Sequence, residues 1–330
     1  MSSEVARDSL LTRIDSFIGD ELREVEKIFY RELDSWHPYI SDILRHATRF
    51  RGKRLRPILL LLSAKSTGGI NDNHRVLAAV VEMIHSATLI HDDVLDEAKT
   101  RRHIVTVNSR WNTETSVLFG DYLFTHSFHL ASSLESTLAC RLIGRATNVI
   151  CEGELSQIHE RGNCDLSEEC YFKIIDRKTA ELCAICCRLG AHYGQMDEGV
   201  VKSLADYGRS LGIAFQIADD VLDLVGNEHE TGKSLGTDLK KKKMTLPLIR
   251  LLERCSEQDT ARIRDLLARP DDETWPQLAH YLDQSDAIEY SQLRAGEYAA
   301  DAARHLDKLP DSTAKQLLED IVHFVTQRSF

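Results

Sequence analysis

The five residues Asp-Asp-Val-Leu-Asp occur twice in the chain, at Asp92–Asp96 and at Asp219–Asp223. In a helix, side chains four residues apart lie on one face, one turn from each other. Asp92 and Asp96 then share a face, as do Asp219 and Asp223, with Asp93 and Asp220 roughly 100° around. Three carboxylates within five residues repel one another unless cations hold them. Hard divalent ions with oxygen ligands suit the task. Mg²⁺ takes one or two carboxylates, keeps water, and completes its shell with substrate phosphate. Two facing clusters would therefore clamp a diphosphate through several metal ions. An acidic run is more often a solvated helix face. Here largely apolar segments, Ala87–His91 and Ile213–Ala218, lead into the two copies. Acids that interrupt such segments point inward, which favours a site.

An anionic substrate also needs local cations, because the formal net charge of −11 opposes it. Three basic islands supply them. Gly52-Lys53-Arg54-Leu55-Arg56-Pro57 precedes a strongly apolar helix, whose first N–H groups add to an anion site. Arg101-Arg102 follows the first Asp cluster. Gly232–Asp238 leads into Lys240–Lys243 and reads as a loop that closes over a phosphate. Lys240–Lys242 read as an exposed run, whereas Lys243, beside apolar Met244-Thr245-Leu246-Pro247, is expected to point inward. Lys178 is placed on the same helix as Cys183, Cys186 and Cys187. His85 could donate to a phosphate near Gly52–Pro57, as a neutral or cationic group, and His91 reads as a satisfied core histidine.

The elements that must position these groups read as helices. No proline lies between Pro57 and Pro247, apolar residues recur at helical spacing, and hairpin turn signals are missing. Ile58–Ala64, with Ser63 its only polar residue, is too apolar for a surface helix and predicts one in the centre. Pro57 suits its first turn, and Gly68-Gly69 its end. Asp259–Ser285, with Pro270 and Pro276, predicts short surface helices. No linker-like stretch divides the chain, so a single all-α domain over residues 1–330 is expected. The acidic charge disfavours nucleic acid as a partner. No stretch is long and apolar enough to form a transmembrane segment, and the N-terminus lacks the basic-then-apolar order of a signal peptide. Eight cysteines without a zinc-type spacing read as reduced thiols, and the expected location is cytoplasmic.

In chain order, GKRLRP, the two DDxxD motifs and GKxxGxD resemble the trans-isoprenyl diphosphate synthases, or polyprenyl synthases, from about Gly52 to Pro247. The resemblance implies the isoprenoid synthase fold: an antiparallel helical bundle around a deep central cavity, with both Asp motifs at its mouth. It implies an Mg²⁺-dependent prenyltransferase, with about three ions bound alongside substrate, that condenses isopentenyl diphosphate with an allylic diphosphate. Carried over residue by residue, Asp92, Asp96 and Asp219 are the principal metal ligands. Asp93, Asp220 and Asp223 then act through water or as supporting groups. Arg101, Lys178, Gln216, Lys233 and Lys243 match allylic diphosphate contacts, and Lys53, Arg56, His85 and Arg102 match the isopentenyl diphosphate site. The cavity floor beneath the first motif falls at Ala87 and Thr88, with Met83 and Ile84 deeper at about 5.4 Å per turn. Small residues at the first two predict a long, all-trans product of about C30–C45, octaprenyl for example, for quinone side chains. A homodimer is the implied assembly. One departure stands out: Arg101-Arg102 is followed by His103-Ile104-Val105-Thr106, where the family commonly has glycine and then Pro-Thr.

Two alternatives within this resemblance are a shorter-chain geranylgeranyl or farnesyl diphosphate synthase and an inactive regulatory subunit of a heteromeric synthase. Such subunits generally lose one Asp motif, and this chain keeps both. A terpene cyclase lacks an isopentenyl site, and a His-Asp phosphohydrolase leaves the second Asp motif unexplained.

Overall fold

Helices make up nearly all the regular structure of the computed structural model, which describes residues 3–50, 52, 54–194, 196–225, 236–269 and 274–327. In order these are α1 (Ser3–Glu32), α2 (Pro38–Ala47), α3 (Leu55–Ser66), α4 (Asp72–Leu95), a hairpin of β1 (Thr100–Arg101) and β2 (Ile104–Val105), α5 (Val107–Arg110), α6 (Thr113–Ser132) and α7 (Leu138–His159). Then come α8 (Glu168–Ile175), a π-helical turn (Asp176–Ala180), α9 (Glu181–Tyr193) and α10 (Glu198–Val225). The chain continues with α11 (Thr237–Lys240), α12 (Leu246–Arg254), α13 (Glu257–Ala268), α14 (Thr274–Asp283), α15 (Ala287–His305) and α16 (Thr313–Gln327).

The central-helix expectation is borne out by α3. Leu59, Leu60, Leu61 and Leu62 are fully buried, Pro57 lies in the first turn, and Gly68 and Gly69 follow the last with φ of 138° and 113°. Only glycine adopts such angles without strain, so the chain reverses there into α4. α9 crosses α3 at bare backbone. A Cβ on Gly190 would stand 2.3 Å from the Leu60 carbonyl oxygen. α10 lies between α9 and α15 and is buried along most of its length. The Tyr207 hydroxyl, inside the core, donates to the Leu318 carbonyl at 2.9 Å.

One apolar cluster gathers α1 to α4, α6, α7, α9, the first half of α10 and α16. The other gathers α8, the second half of α10 and α11 to α15. The polar stretch expected to form short surface helices is α13 and α14, which bury only Ile263 and Leu267, and Thr274, Leu278 and Leu282, respectively. Among the described residues, no helix is long and apolar enough to cross a membrane.

The hairpin departs from a purely helical reading. Thr100 pairs with Val105 and Arg101 with Ile104, leaving Arg102 and His103 as the two-residue turn. Their φ values, 51° and 62°, lie in the left-handed region that such tight hairpins require. Neither residue is glycine, so the missing family glycine leaves strain in the turn rather than a different turn. Left-handed backbone costs a non-glycine residue roughly 1–2 kcal/mol.

Candidate active site

α4 and α10 carry the two acidic motifs to one cavity of about 1700 Å³, and all six aspartates line it. That volume exceeds the roughly 300–1,000 Å³ of ordinary ligand pockets. Arg56, His85, Arg101, Arg102, Lys178, Gln216 and Lys243 line the same cavity. Lys53 and Lys233 lie outside the described residues.

The first motif occupies the end of α4. The helix stops at Leu95, and Asp96 caps it, its N–H donating to the Asp92 carbonyl at 2.8 Å. Burial raises the Asp92 carboxyl; Lys178 opposes the rise, and Glu154 and Asp96 add to it. Burial likewise lifts Asp93 to about 6, although the Arg101 Nε donates to its Oδ1 at 2.9 Å. Asp96 is different. Burial pushes it up, but Lys243 and Lys241 outweigh burial and hold it below the ordinary value. Lys241 Nζ stands 2.7 Å from Asp96 Oδ2, Lys243 Nζ 3.6 Å from the same oxygen, and Arg161 Nη2 3.1 Å from Oδ1.

The second motif is built otherwise. Asp219 lines the cavity, while Asp220 is buried behind it. The Tyr171 hydroxyl donates to Asp220 Oδ2 at 2.7 Å and Gln216 Nε2 to Oδ1 at 2.8 Å. Burial, with repulsion from Asp238, raises the Asp220 carboxyl nonetheless. Asp223 caps α11. It accepts from the Asp238 N–H at 3.0 Å and from the Thr237 hydroxyl. The aspartates share one cavity in unlike surroundings: Asp93 and Asp96 are paired with cations, Asp220 is backed by hydrogen bonds, and Asp223 caps a helix.

Three expectations need correction, and a fourth narrows. Lys178 is not on the cysteine-rich helix α9 but on the π-helical turn before it, where the extra residue re-aims its side chain toward α7. There its Nζ meets Gln157 at 2.7 Å and Glu154 at 2.5 Å. Lys241 is not part of an exposed run: the turn after α11 directs it, like Lys243, onto Asp96. Of the two forms open to His85, neutral and cationic, its surroundings favour the neutral one. Burial, with Arg56, Arg101 and Arg102 around it, holds its pKa well below the ordinary value. Arg56 Nη1 lies 3.0 Å from His85 Nε2, and a guanidinium only donates, so Nε2 accepts and Nδ1 carries the proton. His91 is not a core residue; its partly exposed ring meets the Val117 carbonyl at 3.2 Å, where α4 packs on α6.

Gly52 has a specific task. A Cβ there would stand 2.3 Å from an Arg102 guanidinium nitrogen, so the bare glycine lets Arg102 rest on the chain. Of the floor residues, Thr88 lines the cavity, whereas Ala87, Met83 and Ile84 are buried in the core. Leu89, Ile150, Ile158, Ile174, Leu182 and Phe215 extend the cavity as an apolar wall. Sequence reasoning missed Tyr171, Glu154, Gln157, Arg161 and Lys241. Glu154 and Gln157 stand three residues apart near the end of α7, with Arg161 four residues on in the turn that follows, and this spacing is the one signal that could have found them.

The two Asp motifs offer the cavity carboxylate oxygens alone, which fits a hard ion such as Mg²⁺. Among the described residues, no three His, Cys, Asp or Glu side chains converge to hold an ion alone.

The family model for polyprenyl synthetase matches residues 37–282. The chain belongs to the polyprenyl synthetase family. It is 33% identical to the octaprenyl diphosphate synthase of Haemophilus influenzae over 97% of this chain and 98% of that one. It is also 33% identical to heptaprenyl diphosphate synthase component 2 of Geobacillus stearothermophilus, over 96% of this chain and 98% of the relative. The crystal structure of a polyprenyl synthase from Caulobacter crescentus, complexed with calcium and isoprenyl diphosphate, superposes with a TM-score of 0.92 at 32% identity, covering 97% of this chain and 98% of that one. As a member of the polyprenyl synthetase family, the protein is a chain-elongating trans-prenyltransferase with the all-α isoprenoid synthase fold.

Proposed function

We propose that the protein condenses isopentenyl diphosphate with an allylic diphosphate and repeats the step to a long all-trans product of about C30–C45, octaprenyl for example, for quinone side chains. The observation that supports this is one large cavity lined by all six aspartates, by Arg56, Arg101, Arg102, Lys178 and Lys243, and by apolar side chains. Asp92, Asp96 and Asp219, backed by Asp93, Asp220 and Asp223, would hold about three Mg²⁺, which supply positive charge to the leaving diphosphate. Arg101, Lys178, Lys243 and Gln216, with Lys233, orient the allylic diphosphate. Arg56 and Arg102, with Lys53, hold isopentenyl diphosphate, and neutral His85 orients Arg56 through Nε2. The C–O bond breaks toward these cations, whose charges stabilise the oxygen that leaves. Leu89, Ile158 and Phe215 exclude water, so the allylic cation survives until the isopentenyl double bond attacks C1. The departing diphosphate then takes the proton.

Residues 1–330 act as one domain in this reading, and the active assembly is a homodimer. All eight thiols are free, which fits a reducing cytoplasm. A heteromer is the second reading, because the Geobacillus relative is named as one component of an enzyme. Incubating the pure protein with Mg²⁺, isopentenyl diphosphate and an allylic primer, with chromatography of the products, tests both. Products of about C30–C45 are expected. Products ending at farnesyl or geranylgeranyl would sink the long-chain assignment, and turnover only after a second protein is added would establish the heteromer.

A further inference from the structure

The cations around Asp96 are more than the proposed function uses. Three side chains from two other segments converge on this one carboxylate. Arg161, in the turn after α7, takes Oδ1, while Lys241 and Lys243, after α11, take Oδ2. The two segments are also joined by backbone, the Gly162 N–H donating to the Lys242 carbonyl at 2.8 Å. Asp96 therefore ties α4 to a clasp beside the cavity.

The three partners are not equivalent. Arg161 does not line the cavity, and its Nη2 donates to Oδ1 at 3.1 Å from outside it. Lys243 is nearly enclosed and divides its charge between Asp96 and Asp238, 3.5 Å away. Lys241 lines the cavity, is the more exposed of the two lysines, and makes the shorter contact with Oδ2. A divalent ion arriving at Oδ2 would meet the Lys241 ammonium at hydrogen-bond distance, and like charges so close repel strongly in a partly buried site. A diphosphate arriving with the ion offers that ammonium new oxygens. The four-carbon stem of lysine lets the head move while its backbone stays put.

We propose that Lys241 is an exchangeable counter-ion, neutralising Asp96 in the metal-free enzyme and passing to the diphosphate when a divalent ion takes Asp96. The inference rests on the diphosphate-binding function proposed above and adds a ligand to it. Lys241 opposes metal binding alone and favours metal binding with diphosphate. Arg161 stays on Oδ1 throughout and keeps the carboxylate aimed.

The test is calorimetric titration of Mg²⁺ into wild-type, Lys241→Gln and Lys241→Arg proteins, without and with saturating inorganic diphosphate and no prenyl substrate. Without diphosphate, Lys241→Gln is expected to bind Mg²⁺ about fivefold more tightly than wild type. With diphosphate the order reverses, and Lys241→Gln binds Mg²⁺ about fivefold more weakly. Lys241→Arg restores wild-type behaviour in the second titration, and Lys240→Gln, which removes an exposed charge next door, leaves both titrations unchanged. If wild type takes up Mg²⁺ with diphosphate but Lys241→Gln matches it in both titrations, or shifts the same way in both, the exchange is overturned and the proposed function stands. If wild type takes up no Mg²⁺ with diphosphate, the proposed function falls and this inference falls with it.

Discussion

Replacing Gly52 with alanine separates substrate binding from folding. The new Cβ would lie 2.3, 2.4 and 2.7 Å from the guanidinium atoms of Arg102. Ordinary contact begins near 3.5 Å, so the guanidinium must retreat by roughly 1 Å. Gly52 is not in the left-handed region, and the obstacle is the free end of a long side chain. Folding stability should therefore change by less than about 1 kcal/mol. A charge-assisted hydrogen bond contributes roughly 1.5–3 kcal/mol, and weakening one by a misplacement of this size raises KM for isopentenyl diphosphate about tenfold. KM for the allylic substrate should barely move, because Arg101 and Lys178 are untouched. Gly190→Ala is the contrast. There the obstacle is the Leu60 carbonyl, which is backbone, and about 3 kcal/mol of stability is lost. Urea unfolding and initial rates with each substrate varied in turn measure both effects. An unchanged isopentenyl KM in Gly52→Ala, or a fall in stability as large as that of Gly190→Ala, would refute the assignment of Arg102 and its glycine seat.

Burial raises Asp93 from 3.8 to about 6, so the folded metal-free protein holds that proton more firmly than the unfolded chain. Its stability is greatest below the unfolded value and falls as pH rises through the folded one, by about 1 kcal/mol between roughly pH 5 and 7. Urea titrations in chelator should show a shallower fall for Asp93→Asn, and identical slopes would contradict the burial argument. At the strained hairpin, His103→Gly should keep stability within about 1 kcal/mol, whereas His103→Val should lose about 1–2 kcal/mol. Thr88→Phe, at the cavity wall, should shorten the product. Ala87→Phe, in the packed core, should chiefly destabilise by about 1–3 kcal/mol; product chromatography beside thermal melts tells the two apart. Asp92→Ala and Asp219→Ala should abolish turnover, while Asp223→Ala, which removes a helix cap, should only weaken it. Equal loss in all three would contradict the unequal surroundings of the six aspartates.

Much of this was legible in the chain because it rests on local rules. The buried helix announced itself through Leu59–Leu62, its start through Pro57 and its end through Gly68-Gly69. The acids of each motif stay one turn apart because helical spacing alone places them there. The hairpin at Arg102-His103 was hidden because its turn lacks the glycine or asparagine that marks such turns. Lys178 was misplaced because a π-helical turn adds a residue that no periodicity reveals. The protonation of His85 depended on its burial and on Arg56 meeting Arg101 and Arg102, which lie some 45 residues away in sequence.

The sequence by itself determined the all-α character, the acidic pairs and the presence of cations near them, since helical spacing and residue chemistry act over a few neighbours. The tertiary structure alone decided how those charges are shared. Asp96, Asp220 and Asp223 belong to the same repeated motif, yet one is held by Lys241, Lys243 and Arg161, one by Tyr171 and Gln216, and one caps α11. Electrostatic energy depends on distance and burial in space, and chain order specifies neither for groups brought together from five different segments.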